Sequence, residues 1–75
     1  METEMNYLPY PEAVKTTAGC KVSWWVYADR ETADLAAQAA EHNARIAASQ
    51  GYDFGYCCPG DITVTEDGLF EVCLP

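Results

Sequence analysis

A run rich in alanine from Arg30 to Gln50, entered from a short aromatic stretch and closed by Gly51, decides most of what this chain can become. Alanine is the strongest helix former. Asp29 stands where a side-chain oxygen caps a first turn, and Glu31 and Asp34 lie near the positive end of the helix dipole. Gly51 stands where a helix is stopped. The pattern predicts a helix of about twenty residues over 30–50. Its helical period puts Asp34, Gln38, Glu41, Arg45 and Ser49 on a polar stripe, and Leu35, Ala36, Ala39, Ala40, Ala44, Ile46 and Ala47 on the remaining face. Side chains this small let a helix lie close on a sheet, which must then supply the bulk.

The stretch Cys20–Ala28 supplies it. Its aromatic and β-branched residues suit a strand. Strand alternation places Cys20, Val22, Trp24, Val26 and Ala28 on one face and Lys21, Ser23, Trp25 and Tyr27 on the other. The first set is the cleaner apolar face and is expected to meet the helix. Trp25 and Tyr27 are then left on an open sheet face as candidate partner contacts.

Beyond Gly51 the stretch Tyr52–Gly60 is aromatic but broken by Gly55 and Pro59-Gly60, which predicts an extended segment and a turn. Asp61–Thr65 and Leu69–Leu74 alternate around Glu66-Asp67-Gly68, a hairpin signal that puts Ile62 and Val64 on the buried side with Phe70, Val72 and Leu74. Before Cys20, Pro9 and Pro11 impose an extended lead-in, on which Tyr7, Leu8 and Tyr10 are the candidate anchors. Thr16–Gly19 reads as a turn, and the first five residues as frayed. Whether residues 1–19 add a strand or wrap the body stays open. The expected architecture is one domain over 1–75, with an extended arm (1–19) and an α+β body (20–75) of plan β-α-β-β, a single helix on a small, mainly antiparallel sheet.

Seventy-five residues leave little room for both a core and a deep cleft. No nucleophile elbow, phosphate loop, zinc-protease signature or dinucleotide fingerprint occurs, and the expectation is a protein that is not an enzyme and carries no cofactor. The lone histidine, His42, falls at the border of the helix's polar side, where a solvated or capping role fits better than catalysis. The four cysteines lack the paired knuckle spacing of a zinc site, and we expect no metal. Cys20, Cys57, Cys58 and Cys73 read as small core residues, with Cys58, beside Pro59-Gly60, the most exposed and the pair Cys57-Cys58 a candidate redox site. The N-terminus has no leader-like pattern and no run reaches membrane-spanning length, so the expectation is a cytoplasmic protein with reduced thiols and no membrane association.

Charge is the remaining signal. Twelve acidic residues face four basic ones, for a net charge of −8. Phosphates would be repelled, so direct nucleic-acid binding is not expected, whereas a basic surface would be attracted. Glu31, Asp34 and Glu41 on the helix and Asp53, Asp61, Glu66 and Asp67 in the loops are the candidate contacts, with Trp25, Tyr27, Tyr52 and Tyr56 as possible anchors.

In size, acidity and β-α-β-β plan the chain resembles the small phage-encoded inhibitors of host defence, anti-CRISPR proteins among them. The stretch Gly51-Tyr-Asp-Phe-Gly-Tyr56, with Pro59-Gly60 and a closing Phe70-Glu-Val72, also looks like small phage proteins of unassigned function. The resemblance implies a DNA mimic that blocks nucleic-acid access to a basic nucleic-acid-binding protein or defence complex in the host cytoplasm. It transfers no residue by position. The alternative is a homodimeric interaction module that associates through the open sheet face around Trp25 and Tyr27.

Overall fold

The computed structural model describes residues 7–19, 22–54 and 59–75. Among them the elements run β1 (Lys15–Ala18), β2 (Ser23–Tyr27), α1 (Arg30–Ser49), β3 (Ile62–Val64) and β4 (Phe70–Leu74). The strands form one antiparallel sheet in the order β1-β2-β4-β3. Helix α1 lies across one face, chiefly over β4. The class is α+β as expected, with the order ββαββ in place of β-α-β-β.

The added strand is β1. Thr16, Thr17 and Ala18, expected in a turn, pair instead with Trp25, Trp24 and Ser23. Two adjacent β-branched threonines favour an extended ladder. Gly19 N–H, just past β1, donates to the Val22 carbonyl at 2.8 Å. A Cβ on Gly19 would lie 2.5 Å from the Trp24 ring, so glycine leaves room for that indole.

Helix α1 forms where its punctuation places it. The Asp29 carboxylate accepts from Thr32 N–H at 2.9 Å and also from the Thr32 hydroxyl. At the far end Tyr52 N–H donates to the Ala47 carbonyl and Gly51 N–H to that of Ala48, each at 3.0 Å. Gly51 has φ +94°, the left-handed conformation that such a C-terminal motif requires. The hairpin is also as expected: Thr65 N–H donates to the Leu69 carbonyl at 2.8 Å around a turn with Gly68 at φ +81°.

The sheet meets the helix with the face opposite to the one expected. Register pairs Trp25 with Val72 and Tyr27 with Phe70, so these residues share a face. Tyr27, Val72 and Leu74 join Ala33, Ala36, Ala37 and Ala40 in the core, and Trp25, Ile62 and Phe70 pack against it. Tyr27 is only 2% exposed. The expectation that Trp25 and Tyr27 stand on an open face is therefore wrong. The reason is volume: alanines fully buried at 33, 36 and 40 leave a wide gap, and a tyrosine and a tryptophan fill it better than Val22 and Val26 would. Tyr27 also finds a partner for its hydroxyl, which donates to the Pro11 carbonyl at 3.0 Å.

The segment 7–14 completes the helical layer. Tyr10 packs edge-on against Trp25, with ring centroids 5.6 Å apart, and Tyr10 and Ala13 touch the core cluster. The arm thus covers the part of β2 that α1 leaves open. On the reverse face, register sets Lys15 beside Val26 and Glu71, and Trp24 beside Thr17 and Cys73. Val26 and Cys73 are buried there all the same, while Trp24 is half-buried. Leu35, expected among the buried residues of α1, is 56% exposed on the outer side, and Val64, expected in the core, is exposed at the β3 edge.

Candidate functional site

The register decides which loops meet. Tyr27 opposite Phe70 and Val64 opposite Phe70 bring the end of β2, the start of α1 and the β3–β4 hairpin to one end of the sheet. That end gathers Asp29, Glu31, Glu66 and Asp67, all exposed, with Asp34 one turn further along α1. Hydrogen bonds from Thr32, the backbone one foremost, hold the Asp29 carboxyl below the usual carboxylate range, so it carries full charge at neutral pH. Among the described residues two cations stand at this end: Lys15, which lines a shallow pocket with Asp67 and Glu71, and Arg30. The Arg30 Nε donates to Asp34 at 3.0 Å, and its guanidinium lies over the Phe70 ring at 6.0 Å. Arg30 thereby offsets the charge of Asp34. The hairpin adds two further exposed carboxylates, Glu66 and Asp67.

The other predicted carboxylates lie elsewhere. A Cβ on Gly60 would sit 2.6 Å from Glu41 Cγ, so the Glu41 stem lies across Gly60, whose φ is +98°. Asp61 adjoins that turn, and its carbonyl accepts from Cys73 N–H at 3.0 Å, near the close of β4. Asp53 follows the helix C-terminus and is exposed. Glu31, Asp34, Glu66 and Asp67 are thus brought together, whereas Glu41, Asp53 and Asp61 belong to the opposite half. Trp25 and Tyr27 belong to neither surface. The readings of Cys20, Tyr56, Cys57, Cys58 and the first five residues fall outside the described residues.

The opposite end holds a feature the sequence did not disclose. Asn43, on the sheet-and-arm side of α1 and only 3% exposed, is the sole buried polar residue among those described. Its Oδ1 accepts from Leu8 N–H at 2.7 Å, and its Nδ2 donates to the Leu8 carbonyl at 2.9 Å and to the Tyr10 hydroxyl at 2.7 Å. The side-chain amide acts on Leu8 as a neighbouring strand would, with both of its donors and its acceptor oxygen engaged. Above it opens a cleft of about 410 Å³ walled by Tyr7, Tyr10, Tyr52 and Phe54 and floored by Asn43 and Ala47. Tyr52 and Phe54 meet edge to face with centroids 4.6 Å apart. Burial raises the Tyr10 phenol above its ordinary value, although the bond with Asn43 works the other way. A lone asparagine within an alanine-rich helix, at the spacing of Ala36, Ala39 and Ala40, was the available clue, because asparagine is a poor helix former with no reason to be buried unless bonded.

No family model, curated protein or solved structure matches the chain. Among the described residues no group of His, Cys, Asp and Glu gathers as metal ligands, and no helix is long and apolar enough to cross a membrane.

Proposed function

We propose that the protein is a non-enzymatic inhibitor of the kind phages encode against host defence, binding the basic groove of a nucleic-acid-handling protein and blocking access of DNA or RNA. The observation that carries this reading is the clustering of Asp29, Glu31, Glu66 and Asp67 at one end of the sheet in a chain of net charge −8. Carboxylates on turns are solvated before binding and project beyond the body. They can therefore meet lysines and arginines without reorganisation, and long-range attraction speeds the encounter. Action in the host cytoplasm, where such complexes reside, follows from the same reading.

The test is capture from host lysate on the immobilised protein, with stepwise salt elution. The expected result is a nucleic-acid-binding protein released at moderate salt, whose DNA or RNA is displaced by the free inhibitor. The double variant Glu66→Lys/Asp67→Lys is expected to weaken that displacement about tenfold, with no loss of fold. Retention that ignores both salt and charge reversal would sink the proposal. Recovery of the chain alone would favour the rival reading, a self-associating module. That module would have to use the sheet face bearing Trp24, since Trp25 and Tyr27 are covered.

A further inference from the structure

We infer that the aromatic cleft at the C-terminal end of α1 receives an arginine side chain from the partner protein. The inference rests on the proposed binding of a basic partner and adds an anchoring site remote from the acidic end. Four rings, those of Tyr7, Tyr10, Tyr52 and Phe54, wall the cleft. Tyr52 and Phe54 are not stacked on one another but stand at 65°, so these two walls face different ways.

Two sources of negative potential act on this space. Aromatic faces carry the negative side of the ring quadrupole, which attracts cations. Ala47 in the floor belongs to the last turn of α1, the negative end of the helix dipole, and that turn contains no basic residue. None of the described lining residues is basic. An anion is disfavoured by both, and a neutral apolar group would gain nothing from the second.

Among cations, guanidinium suits the walls best. It is planar and more weakly hydrated than ammonium, so it stacks on ring faces at a smaller desolvation cost. The chain already makes this contact internally, where the Arg30 guanidinium lies over Phe70 at 6.0 Å. The Asn43 groups in the floor are engaged with Leu8 and Tyr10, so they hold the walls rather than the guest.

The experiment is an NMR titration of the whole protein with acetyl-arginine amide, and with acetyl-citrulline amide as the neutral isostere. Saturable shifts are expected at the Asn43 side-chain amide and the rings of Tyr10, Tyr52 and Phe54, with citrulline binding at least about fivefold more weakly. Tyr52→Leu/Phe54→Leu, which keeps apolar volume and removes two ring faces, is expected to lower arginine affinity by about five- to tenfold. Tyr7→Leu, at an exposed ring, is a second variant that leaves the core untouched and is expected to lower it about twofold. Glu66→Lys/Asp67→Lys is expected to leave the titration within about twofold, since screening is strong over the length of the molecule. Scattered shifts that do not saturate, equal binding of citrulline, or full affinity in folded leucine variants would overturn the site. No partner is present in the titration, so its failure removes the arginine site alone. Failure of lysate capture with an intact arginine titration removes the acidic-inhibitor reading instead.

Discussion

At one end of the sheet the surface is built from carboxylates on two turns, and at the other from aromatic rings on an arm and a loop. The turns at the first end need only local support: Thr32 bonds to Asp29, and Gly68 closes the hairpin. The second end is assembled from segments far apart in sequence, and a single buried side chain, Asn43, ties Leu8 and Tyr10 to the helix. A charged patch tolerates loose placement because Coulomb attraction falls off slowly. An aromatic cleft needs its walls held to within contact distance.

That contrast can be broken most sharply at Asn43. Asn43→Ala removes the bonds to Leu8 and Tyr10 and is expected to cost about 2–3 kcal/mol in urea unfolding, with shift changes along residues 7–14 and around Tyr52. The hairpin carboxylates should keep their native shifts. Equal disturbance at both ends would show that the arm supports the whole body and not the cleft end alone.

A smaller effect is expected at Tyr27, which joins the arm to the end of β2. Tyr27→Phe keeps the ring and loses the bond to the Pro11 carbonyl, for about 1 kcal/mol in the same assay. It also changes the alkaline limb of stability. Burial raises the Tyr27 and Tyr10 phenols above their ordinary 10.0. In the unfolded chain they ionise near that value, so stability is unaffected below it and falls as pH rises toward the folded values. The fall is expected to be shallower in Tyr27→Phe, as read by chemical unfolding across that range. An unchanged slope would mean that Tyr27 is not a linked group.

The smallest effect belongs to the acidic end. Asp29 titrates below the ordinary carboxylate value when folded, so it contributes stability above its unfolded value, which is lost as pH falls through the folded one. Asp29→Asn keeps the cap and removes the titration. It is expected to flatten the acid limb slightly while leaving neutral stability nearly unchanged. A large loss at neutral pH would mean that charge, rather than the hydrogen bond to Thr32, holds this turn.

Much of the fold was legible because its signals are local. Asp29, the alanine run and Gly51 bound α1, and Asp67-Gly68 between alternating stretches announced the β3–β4 hairpin. Strand β1 was harder to see: a four-residue strand of exposed positions, Lys15–Ala18, has no apolar alternation to betray it. The carboxylates of the candidate site could be named from sequence, but not their grouping, which depends on antiparallel pairing of β2 with β4.

By itself the sequence determined the helix and its limits, the hairpin, the α+β class and the acidic balance, all properties of neighbouring residues or of composition. Tertiary structure alone decided which face of β2 points inward. Trp24 and Trp25 are adjacent, either alternation is plausible, and a one-residue change in facing exchanges every contact. The choice fell to Trp25 and Tyr27 because an alanine-lined helix leaves volume that only large rings fill, and because the Pro11 carbonyl receives the Tyr27 hydroxyl. The same long-range packing put Asn43 beneath Leu8, and with it formed a cleft from residues that no local pattern connects.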